Sequence, residues 1–265
     1  MNILILSDLH NEFLKNKPDG YHPNWSGSIS ITEADVVVLA GDIDIGTNGV
    51  EWAIKESKRL EKPIIYVAGN HEYYKNELNS IKEEIHHLTR NTEVSFLDPG
   101  VVEYEYVRFI GATLWTDYKV FPRATQSENM NAVGKALRDH IDISICENGT
   151  KRYFTPEDAL ALHEKDLEFI INELEKPFTG KTVVVTHHGP HVSCQHKDFN
   201  LAPISTGFHS DLSRIIDEYP IDVWIYGHTH SNMNEKVGNT QIISNQAGYP
   251  REYVKDFDSK FMIFI

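Results

Sequence analysis

The sequence predicts an α/β protein in which a second sheet packs on the first. Three observations carry that expectation. Short β-branched runs alternate with helical patterns, the signature of strand–helix–strand units. Two regions, Val101–Ala112 and Val237–Ser244 with Phe261–Ile265 at the end, read instead as antiparallel or edge strands. Five apolar runs, moreover, stop abruptly at aspartate, asparagine or histidine, and in open α/β sheets ligand sites lie just beyond the carboxyl ends of the strands.

Taken in order, Ile3–Leu6 reads as the first strand. It has no basic region before it and ends at Ser7-Asp8, too short for a signal peptide. Val36–Leu39, Ile64–Val67, Val183–Val185 and Val223–Ile225 are the other four runs. Val50–Leu60 and Leu78–Leu88 read as helices between strands. Thr155-Pro156-Glu157-Asp158 is a helix start, with a capping threonine, proline at the first helical position and acids in the first turn. The stripe Leu160, His163, Leu167, Ile170, Leu174 continues that helix to Pro177, and a further helix is expected from about Ser210 to Glu218. Trp115–Tyr153 lacks a strand period and holds a helical piece near Asn129–Leu137. We read it as a loop-rich cap that walls a pocket, since long connections on a rigid scaffold often carry specificity. The simplest organisation is a single domain over residues 1–265 with a cap-like insertion at about 115–153.

Composition narrows the function. Of 265 residues, 40% are hydrophobic, ample for a core. Two cysteines, Cys146 and Cys194, exclude a disulfide scaffold and fit a reducing compartment, so a cytoplasmic location is expected. No stretch approaches the length of a membrane span. The net charge of −14 disfavours a general nucleic-acid binder but not a small phosphorylated substrate, because two dications can set the local field alone.

The runs end in Asp8-Leu9-His10, Gly41-Asp42, Gly69-Asn70-His71-Glu72, Thr186-His187-His188 and Gly227-His228-Thr229-His230. Two aspartates, an asparagine and four histidines exceed what one tetrahedral zinc takes and suit two ions sharing a carboxylate. Asp8 and His10, like His228 and His230, are two residues apart. On an extended backbone such pairs point the same way. Seven of the 14 histidines lie between His187 and His230. Oxygen and imidazole donors without thiolate favour manganese, iron or zinc, divalent or trivalent. Two dications, two carboxylates and a bridging hydroxide would leave about one positive charge, which attracts phosphate. Hydrolysis of a phosphate ester, by in-line attack of that hydroxide, is the reaction such a pair suits best.

The series Asp8-x-His10, Gly41-Asp42, Gly69-Asn70-His71-Glu72, His187 and Gly227-His228-x-His230 resembles the calcineurin-like metallophosphoesterase superfamily, in order and over nearly the whole chain. Gly111–Thr116 and Ser210-Asp211-Leu212 are similar to a bacterial branch of predicted phosphohydrolases. The resemblance implies a four-layer sandwich of two mixed β-sheets flanked by helices. It implies that Asp8, His10 and His230 hold one metal, that Asn70, His187 and His228 hold the other, and that Asp42 bridges them. His71 would contact phosphate and protonate the leaving oxygen. Ile43-Asp44 stands where the Ser/Thr protein phosphatases of the superfamily continue differently, which argues against that activity. The acid that would orient His71 is open, with Asp44 and Glu72 as candidates.

Other residues carry weaker expectations. His188 is a candidate for substrate contact, ligand support or packing. Tyr73 and Tyr74 could stack on an organic group or fill the core. Arg123, Arg152 and Arg251 could meet a second phosphate or stay solvated. His191, Cys194 and His196 match no closed zinc site and read as loop residues. His209 could face substrate or start a helix. The expected substrate is a small phosphomonoester or phosphodiester. A non-catalytic metal-binding scaffold and a nuclease are the alternatives.

Overall fold

Two β-sheets face each other across a layer of aliphatic side chains, and helices cover both outer faces. The computed structural model describes residues 1–14 and 25–265. The chain opens with β1 (Asn2–Leu6), β2 (Val36–Ala40), α1 (Asn48–Leu60), β3 (Ile64–Val67), a short α2 (Asn70–Tyr73) and α3 (Leu78–Thr89). Next come β4 (Val94–Phe96), a hairpin of β5 (Gly100–Tyr104) and β6 (Val107–Ala112), then α4 (Gln126–Ala136) and α5 (Asp139–Asp142). A second hairpin follows, β7 (Ser144–Glu147) with β8 (Thr150–Tyr153). The remainder runs through α6 (Pro156–Leu174), β9 (Lys181–Thr186), α7 (Ser213–Glu218) and β10 (Val223–Ile225) to β11 (Met233–Val237), β12 (Thr240–Ser244) and β13 (Met262–Phe264).

The first sheet has the order β13-β1-β2-β3-β4, and the second β11-β12-β10-β9-β6-β5. Both are mixed: parallel centres with antiparallel strands only at the edges, β13 in the first, β11 and β5 in the second. Central parallel strands are buried on both faces, which is why their sequences are unbroken Val/Ile/Leu runs. Between the sheets, Ile3, Ile5, Val36 and Val38 meet Phe109, Val183, Val185 and Ile225. Leu4, Leu6, Val37 and Leu39 point outward to Val50 and Ala53 of α1 and Ile81 and Ile85 of α3. On the opposite side Ile110, Val184 and Trp224 pack under Ile170 and Leu174 of α6 and Ile216 of α7. Each of these aliphatic side chains contributes about 1.5–3 kcal/mol by leaving water. The layers are thus helix, sheet, sheet, helix.

Three helices, α3, α4 and α6, start at a side chain that caps them. Thr155 accepts from the Asp158 N–H while Asp158 accepts from the Thr155 N–H, closing the box that begins α6. Two expectations are refined. Val237–Ser244 holds the turn of an antiparallel hairpin, in which Gly238 takes φ +58° and leads the edge strand β11 into β12. The solvent-facing Asn234-Glu235-Lys236 hid β11 from any hydrophobic pattern. The cap is also less loop-rich than expected. Asn148-Gly149, both at positive φ, turn the β7–β8 hairpin, whose mostly exposed strands carry no apolar alternation. Among the described residues, no helix is long and apolar enough to cross a membrane.

Candidate metal centre

Five strand ends from the two sheets meet at one rim. β1 delivers Asp8 and His10, β2 delivers Asp42, and β3 delivers Asn70 and His71. β9 ends at His187, and β10 leads to His228 and His230. His230 Nε2 lies 3.3 Å from Asp8 Oδ1 and 3.2 Å from His10 Nε2. His187 Nε2 lies 3.0 Å from Asn70 Oδ1 and 3.3 Å from Asp42 Oδ1. The other Asp42 oxygen faces His10 Nε2 at 3.8 Å, so one carboxylate addresses both clusters. Asp8, His10 and His230 form one group whose donor atoms all lie within 4.8 Å, and Asp42, His187 and His228 form another.

The route to this convergence differs from the expected one. Asp8, His10, Asp42, His228 and His230 are not extended. All five sit at φ between 47° and 70°, in the left-handed region. Each strand end therefore curls immediately, and paired residues converge through the curl rather than through a two-residue strand period. The preceding glycines are needed for space. A Cβ on Gly69 would fall on Asp42 Oδ1, and one on Gly41 would fall on the His187 ring.

Groups behind the histidines fix which ring nitrogen faces inward. Nδ1 of His10 donates to Glu12 (3.1 Å), Nδ1 of His187 donates to the Ala40 carbonyl (2.9 Å), and Nδ1 of His230 donates to Glu252. In each case the Nε2 lone pair is left for a cation. Asn70 is held likewise: its amide donates to Asp139 (2.8 Å) and Tyr74 (3.0 Å), which turns Oδ1 toward His187. His228 Nε2 is buried with no partner at all. Converging lone pairs and an orphaned buried nitrogen fit metal binding.

The electrostatics agree. Burial, with Glu72 and Asp8 nearby, pushes the Asp42 carboxyl well above its ordinary range. Burial would raise Asp8 too, but its hydrogen bond to His230 holds it at about 2. Burial alone would lower the His230 imidazole, yet bonds to Asp8 and Glu252 lift it to about 9. Protons thus occupy places where divalent charge would be more effective.

His71 stands beside the clusters, with Nδ1 2.9 Å from Glu12 Oε1 and Nε2 3.0 Å from the Tyr249 hydroxyl. Its ring stacks on Tyr74 at 4.2 Å between centroids. The acid facing His71 is therefore Glu12, and the two candidates named from sequence do other work. Glu72 accepts from the N–H groups of Asp42, Ile43 and Gly69 and from the Tyr66 hydroxyl, tying the ends of β2 and β3 together. Asp44 accepts from the neighbouring Ile45 N–H.

A cavity of about 570 Å³ opens from the centre, touching Asn70, His228 and His230. Tyr74, Ala136 and Leu137 form one wall, and Phe199, Ile204 and Phe208 form another. Residues 136–139, in the middle of the 115–153 segment, line the cavity together with residues of 195–209, where the sequence reads His196 as a loop residue and His209 as facing substrate or starting a helix. Three expected substrate contacts lie elsewhere. Tyr73 is 1% exposed, stacks on Trp115 and donates its hydroxyl to Asp98, a core position. His188 is buried behind the ligands, its ring 4.4 Å from that of His228. Arg123 is exposed and away from the cavity wall. Arg152 pairs with Asp158 and Glu147, and Arg251 is exposed. Of the remaining histidines, His196 and His209 line the cavity.

Sequence reasoning missed Glu12, Asp139, Tyr249 and Glu252. Glu12 continues the two-residue spacing of Asp8-x-His10, a signal that was present. Tyr249 and Glu252 reach the site from a turn after β12, and no local pattern marks them.

A protein of Acanthamoeba polyphaga mimivirus, L509, is 25% identical over 270 residues, covering 93% of this chain and 91% of the viral one. The fold matches that of a phosphopantetheinyl hydrolase from Mycobacterium tuberculosis with a TM-score of 0.75 at 18% identity, over 100% of this chain and 95% of that one. It also matches a dimetal phosphatase from Danio rerio, with a TM-score of 0.55 at 15% identity over 95% and 90% of the two chains. The sequence profile of the calcineurin-like phosphoesterases matches residues 1–232, and the chain belongs to that family.

Proposed function

We propose that this hydrolase cleaves a small phosphomonoester or phosphodiester with two metal ions. Asp8, His10 and His230 would hold one ion, Asn70, His187 and His228 the other, and Asp42 both. The observation that carries the reading is the meeting of these seven donors at one rim. Oxygen and imidazole donors suit manganese, iron or zinc. Bound there, a metal pair acidifies water and polarises phosphoryl oxygen.

The chain's own groups supply the rest. Asp42, with an oxygen toward each cluster, sets the spacing of the two halves. Glu12 accepts the His71 Nδ1 proton, which leaves Nε2 facing the Tyr249 hydroxyl and Asp42. Tyr74 stacked on the ring keeps that direction. A proton on Nε2 then has a short path to the departing oxygen of the ester. The free thiols of Cys146 and Cys194 support a reducing compartment, and we place the protein in the cytoplasm on that ground.

The test is elemental analysis of purified protein joined to a phosphoester screen across several metals. His71→Ala should keep its metals and lose roughly 10²–10⁴-fold on alkyl phosphates. The loss should be smaller on nitrophenyl esters, whose leaving group needs little protonation. Equal losses on both remove His71 from the acid role.

A further inference from the structure

The cavity beside the centre is more informative than its size. Its walls are largely carbon, from Leu137, Phe199, Ile204 and Phe208. Arg138 is the only guanidinium or ammonium group among its described lining residues, and its Nε and Nη2 both lie 2.7 Å from Asp142. Asp139 and Glu252 line the same space. A second phosphate or a carboxylate on the substrate would meet one arginine already paired with Asp142 and two acidic side chains. An uncharged organic group suits this lining better.

One buried and one half-buried side chain lining this cavity carry polar atoms without a partner. His209 is 1% exposed, and neither ring nitrogen is hydrogen-bonded. Burial, with His191 nearby, draws its imidazole down to about 4, so it is neutral and offers one donor and one acceptor. Gln195 uses its amide N–H groups on the carbonyls of Phe199 and His196, and its Oε1 is buried without a donor. Buried polar groups are rarely left so. A polyol could reach them, but its other hydroxyls would lie against Leu137 and Ile204 unpaired. An amide or lactam edge carries a donor and an acceptor on an otherwise apolar frame.

We infer that this cavity takes the uncharged organic group of a phosphoester and reads an amide-type donor and acceptor on it through His209 and Gln195. The inference rests on the hydrolase reading and names the substrate class for that same site. Two sources share the chemistry: a nucleobase edge and an open-chain amide.

The experiment compares metal-loaded protein on a nucleoside 5′-monophosphate, an N-acylaminoalkyl phosphate, glycerol phosphate, a sugar bisphosphate and 4-nitrophenyl phosphate. At least one amide-bearing ester should exceed glycerol phosphate and the bisphosphate by roughly tenfold in kcat/KM. Whichever of the two leads identifies the source. His209→Ala should lower the ratio of kcat/KM for that ester to that for 4-nitrophenyl phosphate by roughly 3- to 10-fold, mainly through KM. Ile204→Lys, at a half-open wall position, should move preference toward the bisphosphate and serves if the histidine variant does not fold. Calorimetry with the phosphate-free amide product should show binding that His209→Ala weakens. Turnover that favours glycerol phosphate or the bisphosphate, or a ratio that neither substitution moves, overturns the assignment. If no ester at all is turned over, the hydrolase reading falls instead. The calorimetry then decides the cavity alone, product binding upholding it and its absence ending it.

Discussion

Behind His10 and His230 stand the carboxylates of Glu12 and Glu252; behind His187 stands the carbonyl of Ala40, part of the β2 backbone. The Glu12 and Glu252 side chains are 12% and 43% exposed. The supports of the other cluster, Asp139 and Tyr74 behind Asn70 and the β2 main chain behind His187, are buried. One half of the centre is thus supported by partly exposed carboxylates at the rim, and the other by buried groups, of which only Ala40 is main chain. The lesson is that the two donor sets need not be equally robust. His187, backed by main chain, shifts only when the sheet shifts, whereas His10 and His230, backed by rim carboxylates, and Asn70, backed by Asp139, answer to single substitutions.

The largest effect should come where the halves join. Asp42→Asn should empty both sites and lower kcat on the order of 10³-fold, since it removes the shared charge. Metal content by mass spectrometry checks it, and a variant with two metals and full rate would falsify the bridging role. An intermediate effect separates the halves. Glu252→Gln and Glu12→Gln should weaken one site about 10–100-fold and spare the other, giving a two-step metal titration. Glu12→Gln should also carry part of the His71 loss on alkyl phosphates. Equal weakening of both sites would erase the distinction drawn above.

The smallest effect on activity concerns the scaffold and isolates its own titration. Asp166 on α6 accepts from the Leu114 N–H, near Asp98 and Lys82. Burial first, then Asp98, raises its carboxyl to about 7. A carboxyl raised above its unfolded value of about 3.9 gives stability that is complete below that pH and lost as pH climbs toward 7. Asp166→Asn keeps the acceptor and cannot ionise. Its melting temperature should therefore gain on the parent by a few degrees between pH 4 and 7.5. A gap constant across that range would show that the carboxyl stays ionised.

How much could be read in advance follows the same division. The seven donors stand in short motifs, each tied to an apolar run, because strand ends fix them locally. Asp8, Asp42 and His187 were legible for that reason. Tyr249 and Glu252 enter from a turn whose position depends on the parallel bridge between Ser7 and Gln246, a contact across 239 residues that no window of sequence contains. β7 and β8 were missed for a different reason. Their strands are mostly solvated, and only the Asn148-Gly149 turn betrays them. Tyr73 misled because a tyrosine beside a catalytic loop looks available until Asp98 and Trp115 are seen to claim it.

The curled strand ends have one more consequence. Five residues wound against the handedness that L-amino acids prefer cost roughly 1 kcal/mol apiece, and the two sheets beneath, with hydrogen bonds between the loops, keep them so. A polypeptide shaped this way behaves like a drawn bow. Slackening anywhere in the frame is felt first at the grip on cations, while the frame itself still looks intact.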